Sequence, residues 1–459
     1  MGFIIKLVLL LATVISAYVA YLALVPAPVP KVENEFWGPA SLSKKADDTA
    51  VRDFKIKIDD KVITDLKSRL KSELDSKRYA PPLDGVGFEY GFNTNFLPKV
   101  LNHWATKYDW KQREQLLNKF PHFKTQIGGI DIHFQRIKSK KNYKKTLPVL
   151  LLHGWPGSIV EFQKIIPLLT DPEKSDYNYE VITPSLPGYG FSEAAHRPGM
   201  DTVAMANIFL RLMKRLGHEK FYIMGGDWGA IIVSDMAALY PENVLGSHST
   251  MCSSMHPLGT ARLMLTSLFP SYLAEPVIAD KMFPLSKFFS FLLRETGYFH
   301  LQATKPDTVG VALSQSPSGL AAYILEKFST WTDASKIDRE DGGLLEKFTL
   351  DELLDNLMLY WVTNSVTSSM RLYSEFATAN KKHRMDSVPI TVPAACLMLP
   401  EELALVPEFT LRDKYPNLQQ FTMGSKGGHF GAFEVPDVVA EDAIKFFNGL
   451  QKSSPPKAK

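Results

Sequence analysis

Between Leu147 and Met251 the chain alternates short apolar runs with longer segments of helical periodicity, and this pattern constrains the fold more than any other feature. The runs "LPVLLL", "YEVITP", "KFYIMG" and "VLGSHSTM" show little polar alternation, so each is expected to be a strand covered on both faces. The segments from Val160, Thr202 and Ala230 are expected as crossover helices, which together imply a parallel α/β sheet. Around Cys252 the regularity gives way to a long helical stretch rich in Phe, Leu, Met and Tyr, lasting to about residue 385. Strand patterns return in "ITVPAACLML" and "LQQFTMG", followed by a last helix from Pro436 to Leu450. A sheet core interrupted by an inserted helical lid is the expectation.

Within this frame, "YIMGGDWGAIIVSDMA" (222–237) has the layout of a nucleophile elbow, with Asp227 at the turn and small residues at 225, 229 and 230. An Asp at a helix start is also a common N-cap, but the apolar strand before it and the apolar helix after it favour the nucleophile. Asp235, further along, reads as a helix-surface carboxylate. Upstream, "LLHGWPGS" (151–158) ends a strand in a turn whose Trp155 N–H is a candidate oxyanion donor, with the N–H of Trp228 as its partner at the elbow. "PSLPGYGFS" (184–192) shows only a second tight turn. Downstream, "GSKGGHFGAFE" (424–434) places His429 after a strand and two glycines. An acid is needed between the two, and "CLMLPEELAL" offers Glu401 and Glu402; Asp386 precedes the resuming strand and is the poorer candidate. Nucleophile, acid and histidine then follow in the chain order of an α/β-hydrolase fold.

A carboxylate nucleophile selects the chemistry. Its attack on a saturated carbon gives an ester, which a histidine-activated water cleaves at the carboxylate's own carbonyl. That suits epoxides and alkyl halides, whereas acyl transfer uses Ser or Cys.

The N-terminus is of another kind. Leu7 to Val25 is almost uninterruptedly apolar, long enough at about 28 Å to be read as a retained single-pass membrane anchor, because small residues suited to signal cleavage are missing. Pro26, Pro28 and Pro30 form a stiff spacer, and Lys31, Lys44 and Lys45 against Lys6 place the bulk of the chain in the cytosol. Next come an edge strand "FKIKI" (54–58), a helix from Asp60, and helices over 97–108 and 109–120, the last opened by Asp109 and Gln112. A hairpin around Gly128-Gly129 and a solvated basic loop "KSKKNYKK" (138–145) complete this region. The division expected is 1–25 anchor, 26–146 N-terminal region, 147–255 first part of the core, 256–385 lid, and 386–459 second part of the core. A net charge of +3 gives no argument for nucleic acid. Two cysteines, Cys252 and Cys396, speak against a disulfide framework or a cysteine metal cluster, and no ligand spacing suggests a metal or cofactor.

Taken with "FWGP", "FPHFKTQIGGIDIHF", "HGWPGS", "GGDWG", "TKPDTVG", "AAYILEKFSTWT" and "GGHFGAFE", these features closely resemble the microsomal epoxide hydrolase family, which includes the insect juvenile hormone epoxide hydrolases. The resemblance runs from the N-terminus almost to the C-terminus. It implies an α/β-hydrolase fold with a lid, an N-terminal region wrapping the core, and attachment to the endoplasmic reticulum membrane. It also implies Glu402 as the acid behind His429 and two lid tyrosines, Tyr298 and Tyr373, holding the epoxide oxygen. From the residues alone, both tyrosines read as aromatic lid packing. The substrate implied is an apolar epoxide with water, and "LMLTSLFPSYL" and "FFSFLL" are expected to line the lid for it. A haloalkane dehalogenase also uses an aspartate elbow and is the alternative enzyme; a non-catalytic hydrolase-like membrane protein is the other, disfavoured because every reactive residue is present.

Overall fold

The computed structural model describes residues 2–453 apart from residues 26, 44, 77 and 174, so Pro26 and Lys44 lie outside the described residues. Its centre is a sheet of β1 (Arg52–Phe54), β2 (His122–Ile127), β3 (Ile130–Ile137), β4 (Lys145–Leu152), β5 (Tyr177–Pro184), β6 (Phe221–Gly225), β7 (Val244–Ser249), β8 (Ala394–Met398) and β9 (Leu418–Met423). The order is β1-β2-β3-β5-β4-β6-β7-β8-β9. From β5 to β9 every pairing is parallel, while β1, β2 and β3 add on antiparallel at the β5 edge. The Gly128-Gly129 hairpin therefore extends the main sheet. The edge strand is shorter than "FKIKI" suggests and ends at Phe54.

The unbroken apolar runs have a direct cause. Leu150, Leu152 and Ile223 enter one buried cluster, while Val149, Leu151, Tyr222 and Met224 enter a separate one. Successive strand residues point to opposite faces, so both faces must be apolar. Helices α1 (Gly2–Leu24), α2 (Asp60–Ser76), α3 (Leu97–Thr106), α4 (Trp110–Leu117), α5 (Ile165–Thr170), α6 (Thr202–Arg215) and α7 (Trp228–Leu239) precede the lid, which runs as a series of helices from Pro257 to His383 between β7 and β8. Strand order reverses about β4, and the turns after β4, β6, β8 and β9 share the carboxyl edge of the sheet, where α/β proteins place their sites.

The wrapping region braces the lid. Arg113 and Tyr108 both bond Asp355, and the Trp104 indole N–H donates to Met358 Sδ at 3.2 Å, all on the lid helix Leu350–Thr363. Asp109 caps α4 by accepting from Lys111 N and Gln112 N.

Four expectations are corrected. Among the described residues no helix is long and apolar enough to cross a membrane, so the spanning anchor over 7–25 is not supported. Second, the cysteines do bond. Cys252 and Cys396 form a fully buried disulfide with Cα atoms 5.8 Å apart, because β7 and β8 are neighbours despite 144 residues of separation. Third, Asp235 is buried rather than on the surface, and burial pushes its carboxyl up to about 7 against the opposing pull of Lys414. Fourth, the lid segments expected to line a substrate cavity turn largely outward. Leu268, Tyr272 and Leu293 are 70%, 86% and 81% exposed.

Candidate active site

The elbow is built by close packing. Strand β6 ends at Gly225, α7 starts at Trp228, and Asp227 between them has φ +50° and ψ −129°. A non-glycine residue in such a conformation costs on the order of 1–3 kcal/mol and persists only where its surroundings enforce it. Here they do. A Cβ on Gly229 would lie 2.1 Å from the Leu152 carbonyl oxygen, so the helix sits directly on the end of β4. The Asp227 side chain makes no cap hydrogen bond to α7, which removes the N-cap reading. Its Oδ1 accepts from Trp155 N at 2.6 Å, and its Oδ2 faces His429 Nε2 at 3.2 Å. Gly154 must be glycine for this approach, since a Cβ there would come within 2.1 Å of Oδ1. Among the described residues, the N–H of Trp228 makes no hydrogen bond to this carboxylate.

His429 is almost fully buried, and its Nδ1 meets both oxygens of Glu402, at 2.9 and 3.1 Å. Its loop is pinned on each side: His429 N donates to Trp331 O, and the Glu434 carboxylate accepts from Gly428 N and Phe430 N. Burial opposes a charged imidazole, but the charges of Glu402 and Asp227 override it and hold His429 well above its ordinary range. Glu401, the neighbour that sequence reading left open, instead pairs with Lys281 of the lid. Asp386 sits in a short turn before β8 and faces Lys414 rather than the imidazole.

Tyr298 and Tyr373 come from two lid helices, Gly297–Thr304 and Val366–His383, and meet over Trp155. The Tyr298 ring stacks on the Trp155 indole at 5.2 Å, and Tyr373 stands edge-on to it at 5.9 Å. Burial, reinforced by the neighbouring charge on Asp227, pushes both phenols well above their ordinary range, so both remain neutral donors. The indole N–H groups of Trp155 and Trp331 are buried without hydrogen-bond partners, and the Tyr373 hydroxyl lies against Tyr298 and the Trp228 indole. Donors without acceptors suit a site completed by a ligand oxygen.

Several supporting residues went unread in the sequence. Asn356 of the lid bonds Ser158 Oγ and the Pro156 carbonyl, and Tyr360 donates to the Gly157 carbonyl, so the lid holds the loop that carries Trp155. Glu161 forms a capping box with Ser158, a signal present in "SIVE". Among the described residues, no group of His, Cys, Asp and Glu is arranged to hold a metal ion.

Comparison with known proteins agrees with this geometry. A family model described as the epoxide hydrolase N terminus matches residues 51–162, and one described as the alpha/beta hydrolase fold matches residues 148–379. The chain is 51% identical to juvenile hormone epoxide hydrolase 1 of Ctenocephalides felis over 92% of its own length and 91% of that protein. It belongs to the epoxide hydrolase family. Epoxide hydrolase 1 of Sus scrofa is 44% identical, covering 91% of this chain and 93% of its own. The crystal structure of juvenile hormone epoxide hydrolase from Bombyx mori superposes with a TM-score of 0.88 at 47% identity, covering 91% of this chain and 99% of that one. This epoxide hydrolase is thus an enzyme of the α/β-hydrolase fold, with the inserted lid described above.

Proposed function

We propose that the enzyme converts apolar epoxides to vicinal diols through an ester on Asp227. The observation that carries this reading is the elbow itself, where a carboxylate, not a hydroxyl, lies between the Trp155 N–H and His429 Nε2. In the first step Asp227 Oδ attacks an epoxide carbon, the C–O bond of the ring breaks, and the oxygen takes a proton from Tyr298 or Tyr373. Esterification removes the Asp227 charge, one of the two that hold a proton on His429, and so favours the neutral imidazole needed next. His429, oriented by Glu402, then takes a proton from water as the water attacks the ester carbonyl. The Trp155 N–H is already 2.6 Å from the oxygen that becomes the oxyanion. The Trp228 N–H is proposed as the second donor.

The relatives named for juvenile hormone and the mammalian epoxide hydrolase 1 point to a terpenoid or xenobiotic epoxide, and parallel turnover of juvenile hormone and styrene oxide separates the two. The mechanism is tested by single turnover in ¹⁸O-water, with label expected in Asp227 first and in the diol only after later turnovers. Label entering the diol directly sinks the ester. Asp227→Ala should abolish turnover with the fold intact, by circular dichroism and melting.

Association with the endoplasmic reticulum membrane is proposed through the exposed apolar side chains of α1, among them Leu7, Leu9 and Leu10. Helix α1 lies alongside the lid helix Pro257–Leu268, which adds exposed Met264 and Leu265. The flanking lysines favour a cytosolic catalytic domain, whereas a disulfide is chemistry of an oxidising lumen. Protease added to intact microsomes decides between them: digestion supports the cytosolic face, and protection until detergent is added supports the lumen.

A further inference from the structure

Beside Asp227 and His429 lies a cavity of ≈20 Å³, lined in part by Gly154, Gly157, Glu161 and Gly226. Roughly 10–15 Å³ seats one water, so this space suits a single water and excludes an organic substrate. Four of the residues that line it are glycines, Gly154, Gly157, Gly226 and Gly431. Apart from the reacting pair, the ionisable side chains that line it are His153 and Glu161. Both nitrogens of His153 are already engaged, Nδ1 with Gly154 O and Nε2 with Leu186 N.

Glu161 is different. It sits in a buried four-residue turn, Ile159–Phe162, and its Oε1 accepts from Ser158 N at 3.2 Å. Among the described residues no hydrogen bond reaches Oε2. A capping box explains Oε1 and leaves Oε2 over. The sequence also clears a path for this carboxyl, because a Cβ on Gly157 would fall 1.4 Å from Glu161 Oε1. No larger residue at 157 is compatible with a glutamate that reaches inward here.

We propose that this cavity seats the water that cleaves the ester, and that Glu161 is the positioning residue that aims it. The inference rests on the ester reading above. In the ester, water donates one hydrogen to His429 Nε2 and the other to Glu161 Oε2, which leaves a lone pair directed at Asp227 Cγ. The water oxygen bonds to Cγ as its proton passes to His429. The tetrahedral centre then collapses, the Cγ–O bond to the substrate breaks, and the departing alkoxide takes the proton from His429 to give the diol. Asp227 keeps the water oxygen, and the remaining water proton passes to the phenolate left by ring opening, which restores both the carboxylate and the tyrosine. In the free site burial pushes the Glu161 carboxyl up to about 8, against the pull of the His429 charge and with a smaller push from Asp227.

The test is Glu161→Gln, followed by rapid quench with enzyme in excess over styrene oxide. Ser158 N–H holds the amide oxygen, so the turn is kept while an NH₂ group, a donor, replaces the acceptor in the cavity. Alkylation of Asp227 should stay within about twofold, and ester hydrolysis should slow on the order of tenfold to a hundredfold. Hydrolysis at the parent rate overturns the proposal. So does equal slowing of both steps, because a merely structural role would also disturb Trp155 on the same loop. A parent enzyme that forms no ester at all sinks the ester reading instead.

Discussion

The two sides of the site are built by different means. On the sheet side, Asp227, His429 and Glu402 stand on strand-end turns and are joined by hydrogen bonds of 2.9–3.2 Å. On the lid side, Tyr298 and Tyr373 are placed by ring packing against Trp155 and against each other. In the proposed mechanism the sheet side is assembled before substrate arrives, while the lid side supplies phenol donors to the epoxide oxygen.

The largest effect that tests this contrast is on the sheet side. His429→Gln should still let Asp227 alkylate but slow ester cleavage by on the order of a thousandfold, so an adduct of substrate mass accumulates by mass spectrometry. Absence of an adduct with a good substrate removes His429 as the base. The lid side should show the mirror image. Tyr298→Phe or Tyr373→Phe should slow alkylation about a hundredfold, the worth of roughly 3 kcal/mol per donor, and leave ester cleavage nearly unchanged. A double Phe variant that alkylates at the parent rate makes the tyrosines packing alone.

A smaller effect sharpens the sheet side. Glu402→Gln removes a charge that raises His429, so the imidazole loses its proton at lower pH. In the proposed mechanism ester cleavage depends on that neutral form, so its pH profile should shift to lower pH, with a plateau about tenfold below the parent as orientation is lost. Glu401→Gln, whose carboxylate pairs with Lys281, should leave both profile and plateau in place. The smallest effect on rate is expected from the paired change Cys252→Ser and Cys396→Ser. Activity at 25 °C should hold while stability falls by about 2–4 kcal/mol, read as a lower Tm.

What could be read beforehand divides along the same line. The sheet and the Asp227 and His429 positions follow from local signals: apolar runs, a strand–glycine–helix turn, a histidine after two glycines. The tyrosines do not, because an aromatic on a lid helix looks the same whether its hydroxyl meets solvent, a neighbour or a ligand; only resemblance singled them out. Between Glu401 and Glu402 the sequence leaves a choice that strand direction alone resolves, since adjacent residues turn to different sides. Asp235 was misplaced because its helix α7 is apolar all round, and a single carboxylate there carries no sign of facing inward. The disulfide was missed for a topological reason: counting cysteines says nothing about which strands become neighbours. Glu161 was overlooked because its capping pattern is satisfied by one oxygen and is silent about the other.

The disulfide has a consequence for how such enzymes can diversify. The chain leaves the sheet beside Cys252 and rejoins it at Cys396, with the two Cα atoms 5.8 Å apart. Viewed from the sheet, the whole helical insertion is one loop fastened at its neck. Loop entropy grows slowly, about 0.6 kcal/mol for each doubling of length. Helices between the two sulfurs can therefore be lengthened, trimmed or exchanged at small cost to the frame that holds Asp227 and His429. Selectivity can be rewritten in that cassette while the reacting groups stay where they are.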